Sequence, residues 1–318
     1  MVGDIMMGTN YPSTGSLPPN NGENLFDDVK EFLQAADVTA GNLEGTLLNK
    51  GGTPKICRDS SDNCVSFRMP EIYAGYLADA GFDIISVANN HSGDFGEIGR
   101  KSTVKTLEKF KIHFAGYATC RTTIFTKDGI RFGFTAFAPN IGTQNLLDTK
   151  TAIKTVKELR KKCDVLIVYF HGGGEGLGSS RVRRKTEYYL GEDRGDVYKF
   201  SHSMVDSGAD IIFGSGPHVP RGIELYKNRI IAYSLGNFCT YGKFGLSGAL
   251  GYAPILKVYI EKSGEFIGGR IFPAIQINHG VPVIDTKYKA VEFVKYLSQK
   301  DFPESDLIIH DDGKIEKK

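Results

Sequence analysis

One pattern recurs four times along the chain and limits the fold more than any other feature. In each case an amphipathic helical stretch leads to an aspartate, a short apolar strand follows, and polar residues come directly after the strand. The four strands lie at 38–40, 84–88, 165–170 and 211–213. Strands that alternate with helices form parallel β-α units, and continuous apolar runs are typical of strands covered on both faces. The pattern therefore predicts an α/β fold with parallel strands.

The rest of the chain is predicted to be antiparallel. Residues 124–126 and 131–137 flank Asp128-Gly129, which is a hairpin signal, and similar turns divide 223–235 and 256–275. A helix is predicted over 287–299, followed by a charged tail. We find no low-complexity linker. We therefore expect one domain over residues 1–280, with residues 281–318 forming a helix and a charged tail that packs on the domain or trails from it.

The charge balance argues against nucleic acid as a partner. Thirty-nine Lys and Arg face 37 Asp and Glu, which gives a net charge of +2, whereas nucleic-acid-binding domains are typically strongly basic. No apolar run approaches the roughly 18 residues of a transmembrane helix. Two of the five cysteines, Cys57 and Cys64, bracket a polar loop. A disulfide in an oxidising compartment and two free thiols are both compatible with that spacing.

Side chains of the kind that bind metals follow the strands. They are Asp4, Glu44, Asn90, His171 and His218. Because the carboxyl ends of parallel strands meet at one edge of a sheet, these side chains are expected to lie close together. A lone histidine at a strand end is more often structural, but ligand-type residues at five strand ends argue against coincidence. Mixed oxygen and nitrogen ligands without thiolate suit Mn, Fe, Zn or Mg, and five of them suggest two ions bridged by a carboxylate.

The same residues lie in a series of motifs that occur in a fixed order. The motifs are 3–8 (GDIMMG), 41–45 (GNLEG), 88–96 (ANNHSGDFG), 171–173 (HGG), 208–210 (GAD), 217–219 (PHV) and 233–238 (YSLGNF). In these motifs the chain resembles the CapA-type (PgsA-type) capsule-synthesis family, whose founding members serve poly-γ-glutamate production. The resemblance covers about residues 3–275. It implies the fold of calcineurin-like metallophosphoesterases, a four-layer α/β/β/α sandwich.

The resemblance also implies roles for the metal ligands. Asp4 and His218 would bind a first divalent ion, Asn90 and His171 a second, and Glu44 would bridge the two ions. In the phosphoesterases such a centre lowers the pKa of a bound water.

Further residues receive roles by the same resemblance. His91 would either protonate the leaving group or donate a hydrogen bond to the transition state, and Asp94 would orient His91. The residues expected to line the substrate pocket are Asn42, Glu175, Arg221 and Asn237. The guanidinium of Arg221 is suited to a bidentate pair with a carboxylate or a phosphate.

Two positions depart from the pattern of the phosphoesterases. Gly216 stands where that pattern has a histidine ligand of the second ion, and Met6 stands where it has a histidine two residues after the first aspartate. The site is therefore expected to hold either two divalent ions or one ion plus a weakly bound second.

The sequence thus favours a protein of capsule or poly-γ-glutamate synthesis with a metal-dependent hydrolase site for phosphoester or γ-glutamyl-type bonds. The alternative is an envelope-polymer binding factor, with little or no catalysis, that has a degenerate metal site. The expected partners are an anionic small molecule or polymer and the capsule-synthesis machinery, reached through an N-terminal anchor absent from this sequence. A basic cluster over 181–185 is either a solvated face or a contact for the polymer. We expect an extracytoplasmic or membrane-associated location, with a cytoplasmic one left open.

Overall fold

The structure is a computed structural model that describes residues 1–56 and 65–318. The question of a Cys57–Cys64 disulfide lies outside the described residues. The helices are α1 (Lys30–Gln34), α2 (Tyr73–Asp79), α3 (Gly96–Lys109), α4 (Thr149–Arg160), α5 (Val197–Asp206) and α6 (Lys289–Asp301). The strands are β1 (Asp4–Met6), β2 (Ala40–Leu43), β3 (Thr46–Leu47), β4 (Arg68–Met69), β5 (Ile84–Ser86), β6 (His113–Ala115), β7 (Thr122–Lys127), β8 (Ile130–Phe137), β9 (Val165–His171), β10 (Glu187–Tyr189), β11 (Glu192–Gly195), β12 (Ile211–Ser215), β13 (Ile223–Tyr226), β14 (Arg229–Ala232), β15 (Asn237–Thr240), β16 (Ile255–Ile260), β17 (Phe266–Phe272), β18 (Ala274–Ile277), β19 (Val281–Ile284), β20 (Leu307–Ile309) and β21 (Lys314–Lys317).

Two large sheets form the centre of the molecule. The first has the strand order β15-β1-β2-β5-β6, and its neighbouring strands are parallel. The second has the order β13-β14-β12-β9-β8-β7, with parallel strands in the middle and an antiparallel strand at each end. The edge strands belong to the hairpins that the sequence predicts, so both kinds of predicted β structure meet in one sheet.

Three apolar clusters separate the layers. Leu33, Leu77 and Leu107 of α1, α2 and α3 pack on the outer face of the first sheet. Val156 and Met204, of α4 and α5, pack on the outer face of the second sheet. The third cluster lies between the two sheets. This arrangement is the predicted four-layer α/β/β/α sandwich.

The period-two alternation of the strands determines which side chains reach the space between the sheets. In β9, Leu166 and Val168 face the helices, whereas Ile167 and Tyr169 face the other sheet. His171 continues the second series. The same alternation places Asp4 opposite in orientation to Ile5, which faces the helices. The side chains of the polar residues at this edge therefore lie between the two sheets, beyond the end of the apolar core.

The C-terminal part of the chain packs on the sandwich. β20 and β21 join β16 and β17 in a four-stranded antiparallel sheet. Val291 and Val294 of α6 belong to the apolar cluster between the two large sheets and this third sheet. The sequence predicts a helix and a charged tail over 281–318, and the structure has α6 followed by the strands β20 and β21, of which β21 pairs directly with β17. Within the described residues, no helix combines the length and the apolar character that crossing a bilayer requires.

Candidate metal centre

Strand register brings the predicted ligands together near the carboxyl ends of β2, β9 and β12, although Asp4 does not follow its strand as predicted but begins β1, and Asn237 begins β15. Asp4 of β1 lies beside Asn42 of β2 on one side and beside Asn237 of β15 on the other. In the second sheet, Ser215 of β12 lies beside His171 of β9. All five residues are buried. At this end of the molecule the two sheets therefore face each other with buried polar side chains.

A single amide joins the two acidic residues of the site. Asn42 Nδ2 donates to Asp4 Oδ1 (2.8 Å) and to Glu44 Oε2 (2.7 Å). Asn89 Nδ2 donates to Asn42 Oδ1 (3.1 Å) and so determines which way the Asn42 amide points. The structure places Asn42, a predicted pocket residue, beside the two carboxylates as the group that holds them in position.

His171 completes a group of three ligand atoms. Its Nδ1 lies 3.7 Å from Glu44 Oε2 and 3.9 Å from Asp4 Oδ1. Ligand atoms of Asp4, Glu44 and His171 all lie within 4.8 Å of one another. The hydroxyls of Tyr169 (3.2 Å) and Ser215 (3.3 Å) also approach Nδ1. Ser215 additionally donates to Asp4 Oδ1.

The electrostatics of this group favour a cation. Burial raises the pKa of Glu44 well above its ordinary value, and the negative charge of Asp4 raises it further. Burial opposes ionisation of Asp4 too, but the hydrogen bond from His218 and the charge of His218 hold the pKa of Asp4 below its ordinary value. Burial lowers the pKa of His171 far below its ordinary value, so the ring is neutral at pH 7. Two facing carboxylates and a neutral imidazole are the donors that a divalent cation binds.

Several buried polar atoms here make no hydrogen bond within the described part of the chain. They are Glu44 Oε1, Asn90 Oδ1 and His171 Nε2. A buried polar atom without a partner costs about 1–3 kcal/mol, so native proteins rarely leave such atoms unpaired. Unsatisfied oxygen and nitrogen donors of this kind fit a divalent cation such as Mn, Fe, Zn or Mg. The fit supports the cofactor class that the sequence predicts.

His218 contacts the group of Asp4, Glu44 and His171 through Asp4. Its Nδ1 lies 3.1 Å from Asp4 Oδ2 and 3.0 Å from Asn237 Oδ1. Burial opposes protonation, but the hydrogen bond to Asp4 and the charge of Glu175 outweigh it and raise the pKa of His218 to about 9. Without a cation His218 is therefore protonated at pH 7 and supplies the positive charge that Asp4 needs. The structure thus brings Asn237, a predicted pocket residue, into direct contact with the centre.

His91 and Asp94 are paired as the resemblance implies. His91 Nδ1 lies 2.8 Å from Asp94 Oδ2, which leaves Nε2 as the ring atom available to a ligand. Lys55 contacts both residues, at 3.3 Å from His91 Nδ1 and 2.7 Å from Asp94 Oδ1. Burial lowers the pKa of His91, while the carboxylate of Asp94 opposes this shift. The role of His91 as a proton donor remains a prediction.

Two aromatic rings connect His91 with His218. The ring of Phe67 lies 4.1 Å from the His91 ring, centroid to centroid, and 5.3 Å from Phe244. Phe244 in turn lies 5.1 Å from the ring of His218. The two histidines therefore flank one apolar wall beside the metal ligands.

The remaining two predicted pocket residues differ in their surroundings. Glu175 lies near the centre, because its Oε2 is 3.8 Å from His218 Nε2. Arg221 is fully buried and forms a bidentate pair with Glu187, with N–O distances of 2.9 and 2.6 Å, while its Nε donates to Ser179 O. Its guanidinium thus already holds a carboxylate of this chain.

Two arginines of the basic cluster over 181–185 pair with acidic residues at the end of α6 and directly after it. Arg181 pairs with Asp301, and Arg184 pairs with Glu304. These contacts favour the structural interpretation over a contact surface for a polymer.

Gly216 occupies the position of the missing histidine for a steric reason. Its φ is +118°, and a Cβ there would lie 2.8 Å from Gly172 N. The backbone of this chain therefore has no room for a side chain at that position without a local shift.

Several residues of the site are not among the predicted ones. Tyr169 lies two residues before His171 and Ser215 lies three residues before His218, and strand alternation gives them the same face as His171 and Phe213 respectively. Phe67, Lys55 and the buried Arg194 carry no such signal. They reach the site through loops and a hairpin, whose placement local periodicity does not predict.

The family profile and the most similar curated proteins point to the same family. The sequence profile of the family described as "Bacterial capsule synthesis protein PGA_cap" matches residues 1–241. The PGA biosynthesis protein CapA of Bacillus subtilis is 28% identical over 253 residues, which is 74% of this chain and 61% of that protein. The capsule biosynthesis protein CapA of Bacillus anthracis is 29% identical over 257 residues, which is 75% of this chain and 58% of that protein. The chain thus spans about three-fifths of the length of these relatives.

A solved structure supports the fold. A protein assigned as a 5′-nucleotidase from Staphylococcus aureus, crystallised with α-ketoglutarate, superposes with a TM-score of 0.50 over 92% of this chain and 57% of that one. The two sequences are 13% identical. The similarity therefore concerns the metallophosphatase-type architecture.

Proposed function

The chain belongs to the bacterial capsule synthesis protein PGA_cap family, and on that premise we propose that it is a metal-dependent hydrolase that serves the synthesis of an envelope polymer. The bond cleaved is a phosphoester or a γ-glutamyl-type amide. The expected partners are an anionic polymer or small molecule and the machinery of capsule synthesis. The names of the CapA relatives refer to capsule or PGA biosynthesis, which supports an extracytoplasmic or membrane-associated location.

One observation carries the proposal more than any other. Asp4, Glu44 and His171 converge while Glu44 Oε1, His171 Nε2 and the amide oxygen of Asn90 make no hydrogen bond within residues 1–56 and 65–318. Hydrogen bonds within the chain would satisfy these atoms if the cluster were only structural. A divalent cation would be held by Asp4, Glu44, His171 and Asn90, and when bound it would supply an acidified water and positive charge for a developing oxyanion.

The other residues of the site hold and move protons. Asn42 keeps the two carboxylates at a fixed separation. Asp94 holds the ring of His91 through Nδ1, so that Nε2 points away from this pair and can exchange a proton with a leaving group. Phe67 and Phe244 limit the access of water on that side.

The test compares His91→Gln with His279→Gln in protein loaded with Mn²⁺. The substrates are bis-p-nitrophenyl phosphate, p-nitrophenyl phosphate and a γ-linked glutamate oligomer. We expect turnover on at least one substrate, and a loss of about 10²–10⁴-fold in kcat for His91→Gln, as is typical when a general acid or base is removed. His279 is exposed, so its variant should keep full activity.

Full activity of His91→Gln would contradict its assigned role. Metal binding without turnover of any of the three substrates would reject the hydrolase.

A binding factor with a degenerate site is the second candidate, and Gly216 favours it. A second ion would lack one ligand, and the backbone leaves no room to restore it. This candidate predicts salt-sensitive binding of poly-γ-glutamate without cleavage. Metal analysis that finds two tightly bound ions per chain would argue against it.

A further inference from the structure

Two fully buried arginines lie close to the metal centre, and they differ in what they bind. Arg221 donates from Nε, Nη1 and Nη2 to Glu187 and Ser179. Arg194 is 1% exposed, and within the described residues its Nε and Nη2 donate no hydrogen bond. A buried guanidinium is always charged and requires acceptors, so unused donors on Arg194 are costly unless a ligand completes them.

The backbone places Arg194 against the loop that carries the site. Arg194 lies in β11, and its carbonyl accepts a hydrogen bond from Gly173 N at 2.8 Å. Gly173 is two residues after His171.

Glu175 is the nearest counter-charge, but it does not satisfy Arg194. Its Oε1 lies 3.0 Å from Arg194 Nη2, in an orientation that gives neither atom a hydrogen bond within the described chain. Its other oxygen lies 3.8 Å from His218 Nε2. Glu175 is thus shared between two cationic side chains, and the guanidinium fork of Arg194 still has donors for a second oxyanion.

We propose that Arg194 binds an oxyanion of the ligand, a carboxylate or a phosphate, beside the metal centre. The assignment rests on the proposed function only in placing the ligand at this site. A guanidinium binds either group through paired N–H donors, and a buried pair is stronger than an exposed one because water does not compete. Arg194 would therefore take the role that the sequence analysis gave to Arg221, whose fork holds Glu187.

Calorimetric titration with two probes, inorganic phosphate and glutarate, tests this assignment without any need for turnover. The full chain is used both after chelator treatment and loaded with Mn²⁺. We expect Arg194→Gln to weaken binding of the preferred probe by about 10- to 100-fold, the range for a lost charged hydrogen bond. Arg194→Lys keeps the charge but loses the fork, so its affinity should be intermediate. The matched control is Lys150→Gln, which removes one charge from an exposed position at the start of α4 and should bind like the wild type.

A second variant acts in the opposite direction and covers a failure of Arg194→Gln to fold. Glu175→Gln removes the competing carboxylate while keeping its size, so the anion should bind several-fold more tightly. The preferred probe distinguishes a phosphate ligand from a carboxylate ligand.

Three results would overturn the assignment. They are equal affinity of Arg194→Gln and wild type, unchanged or weaker binding by Glu175→Gln, and no binding of either probe to wild type in either form. Failure of the proposed hydrolase looks different, because it would abolish turnover in every variant while anion binding still depended on Arg194.

Discussion

Opposite edges of the two central sheets both carry acidic residues, and these residues have very different partners. At the edge where the strands begin, which we call the amino edge, lie Asp83, Asp164 and Asp210. Asp83 accepts from Thr39 N and pairs with Lys127. Asp210 accepts from Leu166 N and pairs with two arginines. Asp164 pairs with Arg131 through two nitrogens.

The edge where β2, β9 and β12 end, which we call the carboxyl edge, carries Glu44 and also Asp4, which begins β1 beside Asn42. Each of these also has hydrogen bonds, but Glu44 Oε1 and nearby atoms of Asn90 and His171 remain without partners in the described chain. Both edges are equally part of the fold. They differ in whether their polar atoms have hydrogen-bond partners. The unpaired atoms at the carboxyl edge indicate a ligand site, whereas the paired carboxylates at the amino edge have a structural role.

The largest effect is expected when a carboxylate of the carboxyl edge is neutralised. Glu44→Gln should weaken Mn²⁺ binding by more than about 100-fold, because loss of an outer partner of a metal ligand already costs 10–100-fold. Metal-free Glu44→Gln should be as stable as wild type, since burial already opposes the charge of Glu44. Metal titration and thermal unfolding with and without chelator measure the two effects. A Glu44→Gln variant that binds Mn²⁺ like the wild type but unfolds at a lower temperature would show that Glu44 has a structural role and not a role in metal binding.

The matched change at the amino edge should have the opposite outcome. Asp210→Asn leaves Arg160 and Arg229 without their carboxylate, and breaking such a buried pair costs about 3 kcal/mol. Mn²⁺ affinity should not change. Denaturant unfolding gives the stability, and the same metal titration gives the affinity. Reduced Mn²⁺ binding at full stability would show that the amino edge contributes to metal binding and is not only structural.

The pH dependence of the metal-free protein sharpens the comparison further. The pKa of His218 is raised from its ordinary value of 6.5 to about 9 in the folded chain. The stabilisation from its proton is therefore complete below pH 6.5 and is lost as the pH rises through 9. This stabilisation amounts to about 2 kcal/mol, because raising a pKa by one is worth about 1.4 kcal/mol and part of the effect is shared with Asp4.

Thermal unfolding from pH 6 to 9.5 tests this dependence. His218→Gln should flatten the decline between pH 7 and 9. An equal decline in the variant would mean that another group causes it.

The smallest effect is expected for the exposed part of the amino edge. The side chains of Lys127 and Asp83 are 37% and 21% exposed. Lys127→Met should therefore cost less than about 1 kcal/mol, as is usual for ion pairs near the surface. A denaturant titration suffices to measure it. A loss as large as that of Asp210→Asn would show that the pair matters despite its exposure.

Much of the fold and part of the site follow from local patterns. The apolar runs and their alternation predict the parallel units, and the polar residues that follow them predict an edge with metal-ligand chemistry. Asp4, Glu44 and His171 meet there because strand alternation and the common direction of parallel strands are local properties. The hairpins are equally local, since a short turn joins their strands.

Other features depend on contacts between distant segments. The tail strand β21 pairs with β17 in the third sheet, and no local pattern selects that partner.

Local patterns in the sequence predicted the parallel β-α units and the set of side chains that collect at one sheet edge, and the resemblance to the CapA-type family added the four-layer arrangement. Only the tertiary structure decided which charges have partners and which do not. Arg221 and Arg194 look alike in the sequence, yet one is paired with Glu187 across a hairpin and the other keeps unused donors beside Glu175. The physical reason is that strand direction and alternation are set residue by residue, whereas the partner of a buried charge is set by how loops pack after the strands have formed.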